Sequence, residues 1–492
     1  MKRILAISCL AGLFTTCQIE EEGVPTPDEG FIRFFGDLTS YNASDLEAVG
    51  DTLVVFGSQI NVQSGNSDFT IIRMNAEGLY LDSALYTPEL KVKIDTDGDG
   101  FGDTELGTDE DGNIVSKGSV LAEQFEAIQL QGNASGSQIE PIRTGTFADG
   151  FLTAGTYLFN DNALGIANVN AAYLGVYDMQ LNAVTDTILL FNENPANGLD
   201  YFGNDVIQTA DGAFIFGGTI EVNRGGVTDL DFRLIKFELS TDRLTTVWEQ
   251  TLGIEGNGQD DILSRIFEKE NGNIVAIGTT FDKSTCGENN GDNGTNVAFY
   301  ELTAAGNELN SVTYGVGCPS RSTTDAREFA VFNDVVSDAV KVASGFAITG
   351  TSTLSSEDNY AFFMNLTNSG NFIAADTLTS GFDPALQTRG LGIVQANDKD
   401  YIILGAYEDF HELDASNEEI NERAEEALFM KVSQTGIRVH EVHYGSLGGD
   451  DSAIDGLLLI DSRIMVVAKM DLGGGVELVS LIKTNDNGEL EN

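Results

Sequence analysis

ADGAFIFGGT (Ala210–Thr219) joins an Asp/Gly turn to a short run of aromatic and β-branched residues that closes on Gly218. The same phrase returns along the chain, closing at Gly57 (LVVFG), Gly155 (FLTAG), Gly278 (IVAIG), Gly350 (FAITG) and Gly405 (YIILG), with a degenerate seventh copy, MVVA, at Ala468. A supersecondary unit recurring in this way marks a repeat architecture. A second phrase follows in most copies, as in FTIIRMNAEG (Phe69–Gly78), NVAFYELTAAG (Asn296–Gly306), YAFFMNLTNSG (Tyr360–Gly370) and ELVSLIKTNDNG (Glu477–Gly488). It alternates apolar with polar or small residues and then meets a turn cluster, the period of a half-buried strand leading into a hairpin. A third short run ends at Gly253, Gly315 and Gly445. Each unit therefore holds three or four antiparallel strands, the size of one propeller blade.

The two ends of the chain are complementary. FIRFFGD (Phe31–Asp37) matches the last strand of a unit and precedes any first strand, whereas the seventh unit stops after its third strand, near Gly488. Joining the two completes a blade and removes the edge that an open stack would expose. The expected fold is all-β: a propeller of about seven four-stranded blades, closed by an N-terminal strand that completes the C-terminal blade. A right-handed β-solenoid is the competing repeat fold, but its repeats are shorter and need no matching ends. The first interval, Gly57 to Gly155, is the longest and leaves room for an eighth blade.

The turn–strand elements ADGAFIFGGT and NGNIVAIGTT (Asn271–Thr280), together with YGSLGGDDS (Tyr444–Ser452), resemble the irregular, Gly-rich β-propellers of surface lipoproteins and secreted proteins of Bacteroidota-type bacteria. The resemblance covers nearly the whole mature chain and speaks to architecture alone. Better-defined propeller families do not fit: Trp248 is the one tryptophan, no repeat ends in Trp-Asp, and no sialidase-type S-x-D-x-G-x-T-W box is present.

Met1-Lys2-Arg3 is a basic start, Ile4–Phe14 an apolar run too short to span a bilayer, and Cys17 follows Thr15-Thr16. The context resembles a bacterial lipoprotein signal with Cys17 as the lipidated residue, although Phe14 and Thr16 depart from its usual pattern. The alternative is a plain secretory signal. On this reading residues 1–16 are removed, 17–30 form an acidic, Pro-containing tether and 31–492 form the propeller. Gln18–Glu22 resembles the export signal of such surface lipoproteins, which implies an outer-membrane, surface-exposed location.

The chain carries 26 basic against 77 acidic residues, a net charge of −51. A surface of that sign repels polyanions, so a nucleic-acid partner is excluded, and it attracts divalent cations. Once Cys9 leaves with the signal and Cys17 takes lipid, Cys286 and Cys318 remain, both in the fourth unit; an even remainder in an exported protein suggests a disulfide.

One segment has recognisable site chemistry. In DTDGDGFGDTE (Asp95–Glu105), within an acidic insertion spanning 91–135, the Asp95, Asp97 and Asp99 carboxylates alternate. Gly100 follows, then the Phe101 carbonyl and Asp103, the ligand order of a calcium loop. It resembles the loops of thrombospondin type 3 repeats and, less closely, the EF-hand. The EF-hand's closing acid is replaced by Leu106, with Glu105 one place early and Asp109 or Asp111 available from the next turn. A structural calcium ion is expected; the competing reading is a solvated acidic turn.

Acidic residues also recur where units begin, at Asp45, Asp205, Asp261, Asp338 and Asp451. Such residues either line one face around the axis or hydrogen-bond turn amides, and the second is the expectation. The histidines are His411, His440 and His443; odd spacing along a strand points the last two to opposite faces, against joint metal binding. DASNEEINERAEEALF (Asp414–Phe429) reads as a short helix opened by a Ser416/Glu419 capping box. Two function classes follow. The first is a surface-anchored binding or scaffold module for glycan, peptide or partner proteins; the second is a propeller enzyme, a glycosidase or lyase, using carboxylates in the central funnel. Few basic residues, one Trp and no nucleophile motif favour the first.

Overall fold

The computed structural model describes residues 30–490 apart from internal segments, the longest of them 94–106, 116–124, 282–293, 317–332 and 411–422. Seven four-stranded antiparallel sheets, at 41–86, 132–190, 201–252, 262–314, 333–378, 388–444 and 452–484, form blades 1 to 7. The first strand of each blade packs against that of the next, and blade 7 returns to blade 1. This is a closed β-propeller. Its last blade has three strands of its own and takes the fourth from Phe31–Phe35, which runs antiparallel to Glu477–Thr484 with Phe31 opposite Lys483 and Phe35 opposite Val479. Among the described residues the long first interval forms no eighth blade. Its strands form separate two-stranded ribbons instead, Glu89–Lys93 with Phe125–Gln129 and Gly107–Thr108 with Ile114–Val115.

The apolar residues of the second and third strands of each blade are buried between blades, whereas the outer strands are largely exposed. The hydrophobic core accordingly divides into seven clusters, one per blade junction. Phe56, Phe69 and Tyr157 fill the junction of blades 1 and 2, and Phe299, Phe346 and Phe362 that of blades 4 and 5. The closing junction draws Phe31 and Phe35 against Val467 and Leu481, so the N-terminal strand is part of a core and not an appendage.

The repeated Gly has a physical cause. Every inner strand carries a β-bulge at one register position, between 43 and 45 in blade 1 and between 263 and 265 in blade 4. The Gly closing the second strand lies opposite that bulge: Gly57 pairs with Ala43 and Gly278 with Leu263. The bulge pushes a carbonyl toward the second strand, so a Cβ on Gly278 would stand 2.2 Å from the Ile262 oxygen and one on Gly405 1.8 Å from the Arg389 oxygen. In blades 1 to 6 only a residue without a side chain fits there; blade 7 has Ala468 at the same position.

The helix expected over Asp414–Phe429 is contradicted from Arg423 onward, and its first part, 414–422, lies outside the described residues. Arg423–Val432 is the third strand of blade 6, paired along its length with Tyr401–Phe410. Helix propensity in the Glu/Ala-rich stretch loses to the pairing and burial of Ala427–Val432. The Ser416/Glu419 capping box lies outside the described residues.

Gly278→Ala is expected to destabilise the domain by about 1–3 kcal/mol, the range for forced overpacking, while Ala468→Gly, at the blade whose bulge already tolerates a methyl, is expected to change stability by less than half as much. Urea melts of both variants check this; equal losses would separate the Gly pattern from the bulge.

Candidate functional site

A bulge re-aims the residue that follows it. In blades 1 to 7 those residues are Asp45, Gln138, Asp205, Arg265, Asp338, Gly392 and Asp455. They form one ring around the axis, acidic in every odd blade and non-acidic in every even one. Each acid reaches across to the next blade and accepts the main-chain N–H just past that blade's own bulge. Asp45 Oδ2 accepts from Ile139 at 2.7 Å, Asp205 Oδ2 from Ile266 at 2.5 Å, Asp338 Oδ2 from Ile393 at 2.8 Å and Asp455 Oδ2 from Leu46 at 3.0 Å. Gly392 is the exception that the packing demands, since a Cβ there would lie 2.4 Å from the Ile454 oxygen.

Arg265 is the one cation in the ring. Its Nε donates to Asp338 Oδ1 at 2.5 Å and its Nη2 lies 4.0 Å from Asp45 Oδ1. Burial works against its charge, but the Asp338, Asp45, Asp205 and Asp455 carboxyls hold it protonated. One guanidinium does not neutralise the whole set. Burial, then the neighbouring Asp455 carboxyl, push Asp45 well above the ordinary carboxylate range. Burial raises Asp205 to about 7, against the opposing pull of Arg265 and its two amide bonds. Glu47, half-buried two residues beyond Asp45, is raised to about 7 by burial, then by Glu140 and Asp455. Seven is odd, so the alternation fails at the closing seam, where Asp455 and Asp45 are adjacent.

The other recurrent acids are a separate set, outside the ring. Asp451 Oδ1 accepts the Asp471 amide at 2.7 Å and its Oδ2 the Ser446 amide. Asp334 accepts the Val316 amide at 2.7 Å and the Ser352 hydroxyl at 2.6 Å. Asp261 is fully buried at the start of blade 4. So the acids hold backbone amides, as expected, but Asp45, Asp205 and Asp338 hold those of a neighbouring blade and not of a turn. Arg265, Asp455, Glu47 and Glu140 were missed by the sequence reading, although Arg265 and Asp455 share the alignment position of Asp45 ahead of the second-strand Gly or Ala.

His440 faces Glu489 at 3.1 Å, whereas His443 bonds Glu441 at 2.8 Å and stacks on Tyr407. The two do not converge, and among the described residues no group of acids, His or Cys is arranged to hold a metal. Cys17, the Cys286 and Cys318 pair, and Asp95, Asp97, Asp99, Phe101 and Asp103 lie outside the described residues, as does His411.

The connections are sorted by face. Antiparallel order places the links between second and third strands, and those between blades, at one end of the ring. That end bears the long connections 87–131, 282–294, 315–332 and 411–422. The other end carries tight turns, its longest links being 142–150 and 178–187.

No family model and no curated protein matches the chain. Solved structures do match. An ulvan lyase of polysaccharide lyase family PL25 is 9% identical, with 72% of this chain and 80% of that one covered at a TM-score of 0.42. The neuraminidase-like protein N11 of A/flat-faced bat/Peru/033/2010 is 11% identical, with 72% and 88% covered at 0.36. The GH93 α-L-arabinofuranosidase of Fusarium graminearum is 9% identical, with 57% and 91% covered at 0.35. Likenesses this distant assign neither activity nor ligand.

The raised acids set a pH dependence. A carboxyl whose folded pKa exceeds its unfolded value of about 4 binds its proton more tightly when folded, so stability falls as pH rises through that window. For Asp205 and Glu47 the window runs from about 4 to about 7. The Lys-paired Asp211 and Asp398 are held below the usual range and titrate beneath it. The melting temperature is therefore expected to rise from pH 8 to pH 5. Asp45→Asn, which keeps an acceptor for Ile139 and removes the raised seam carboxyl, is expected to flatten this pH dependence and to raise the melting temperature at pH 8. A melting temperature that drops on going to pH 5, or an Asn variant weaker at pH 8, contradicts this.

Proposed function

We propose that this chain is an exported, lipid-anchored β-propeller of the cell surface that binds a glycan, peptide or partner protein through the face bearing its long connections. The observation that carries the reading is the segregation of those connections to one end of a rigid, closed ring. Variable loops on a fixed scaffold are where binding residues concentrate. The ring carboxylates support it from the other side: Asp45, Asp205, Asp338 and Asp455 are each occupied in holding the next blade, which removes them as free acid–base groups. A surface of net charge −51 leaves neutral or cationic partners and disfavours polyanions.

The alternative, a glycosidase or lyase working in the funnel, rests on Glu47, a half-buried carboxyl near neutrality beside Glu140. General acids are tuned in this way. The two readings separate in one experiment on the full-length protein. Binding predicts glycan- or peptide-array signal that survives Glu47→Gln, and no turnover in a hydrolase and lyase screen. Turnover lost in that variant would replace the binding reading with the enzymatic one. Cys17→Ser is expected to move the protein from membranes to the soluble fraction, because the lipid is the proposed anchor; unchanged partitioning removes the anchor.

Calcium at Asp95, Asp97, Asp99, Phe101 and Asp103 is part of the same proposal, as a structural ion bracing the first long connection. Titration calorimetry is expected to show calcium uptake that Asp97→Ala with Asp99→Ala abolishes; uptake unchanged in the double variant reduces the segment to a solvated turn.

A further inference from the structure

We infer that a small polar cavity between blades 5 and 6, at the end bearing the long connections, binds one neutral sugar residue. The inference rests on the binding reading above and gives it a site and a ligand class. The cavity, about 160 Å³, is lined by Asn359, Gln387, Arg389, Ala406, Glu408 and Glu425. Drug-sized sites run to roughly 300–1,000 Å³, so this one suits a single ring at a chain end and not a folded peptide.

Three features of the lining point to a polar ligand. Glu408 and Glu425 stand directly opposite one another on paired strands, with Arg389 ion-paired to Glu425. Arg389 bonds Glu425 through Nη2, but its Nε is buried with no hydrogen-bond partner, and such a donor costs stability when unmet. Gln387 Oε1 accepts both the main-chain N–H of Asn359, at 3.2 Å, and its Nδ2, at 3.0 Å. The amide is thereby oriented, and its Nε2 has no protein partner among the described residues.

The mix selects the ligand. Two carboxylates repel an anion, and the Arg389 guanidinium offsets one of them through its pair with Glu425, which leaves a small cation as the competing occupant. What fits is a neutral group set in which each member both donates and accepts, and adjacent hydroxyls on a sugar ring do this. Hydroxyls can donate to Glu408 and Glu425 and accept from Arg389 and Gln387, with the Ala406 methyl against the ring's C–H face.

The test is saturation-transfer NMR and calorimetry on the full-length protein in detergent, with a panel of neutral methyl glycosides as probes. At least one glycoside is expected to bind, and Glu408→Gln and Gln387→Ala are each expected to lower its affinity by about tenfold or more. Both variants are expected to do so while still melting as cooperatively folded domains; a loss of binding through unfolding would abolish that transition as well. Binding of no glycoside, affinity kept within about twofold in both variants, or competition by methylammonium in place of sugar overturns the proposal. Glycan-array signal that persists in both variants rejects this cavity while leaving the binding reading intact; arrays blank for both glycan and peptide sink the two together.

Discussion

Everything in this fold hangs on one backbone defect repeated seven times. The inner-strand bulge does three things at once. It forces a Gly, or in blade 7 an Ala, on the neighbouring strand; it turns the next side chain toward the adjacent blade; and in blades 1, 2, 4 and 6 it frees the main-chain N–H that the previous blade's carboxylate then takes. Asp45 to Ile139 and Asp455 to Leu46 are the same interaction, one inside the chain's sequence order and the other across its ends. Such bonds contribute a modest net stability each, about 0.5–1.5 kcal/mol, but their larger effect here is to fix the angle between blades. The apolar clusters supply attraction at each junction, yet a greasy interface alone slides. The axial carboxylates give it a register.

A second polar device sits farther out. On the third strand, Lys236, Lys431 and Lys483 occupy one alignment position, nearly fully buried, and each reaches the Asp of its blade's first turn: Asp211 at 2.6 Å, Asp398 at 2.6 Å and Asp461 at 2.7 Å. Blade 4 reverses the polarity, with Glu301 buried and Lys269 in the turn at 2.7 Å. The swap conserves the pair and not the residue. Buried pairs gain little net stability after desolvation, so the arrangement is better understood as tying each hairpin to its own blade. In a chain this acidic, spending scarce lysines inside the blades leaves the outer surface still more negative.

The fold was legible because its signals are local and repeated. A Gly-closed strand, a turn and an alternating strand read the same way in six copies, and FIRFFGD announced its pairing by being out of place. The helix at Asp414–Phe429 was misread because Glu and Ala dominate there and nothing local shows that Ala427–Val432 must pair with Tyr401–Ile402 and its neighbours. The axial ring was half legible. Its acids stood out one by one, but the identity of their partners depends on which blade follows which, and Arg265 looked like any strand Arg until four carboxyls surrounded it. The cavity of Arg389, Glu408 and Glu425 was not legible at all: its residues are spread over three strands and a blade junction, and each is ordinary alone.

Ring closure explains how such an uneven chain presents a fixed surface. A linear repeat stack has two terminal units with one neighbour each, and these open first. Here the sheet at 452–484 takes its outer strand from Phe31–Phe35, so the first and last residues of the propeller belong to one blade. No blade is terminal, and opening any junction must break both an apolar cluster and, at four of the seven, an axial carboxylate–amide bond. That matters most at the end where the long connections leave. Insertions as large as 87–131 leave blades 1 and 2 in the same contact as the other neighbours, because the geometry at the axis is set by Asp45 and Ile139 and not by the chain between them. The scaffold thereby separates what holds the ring from what varies on its face.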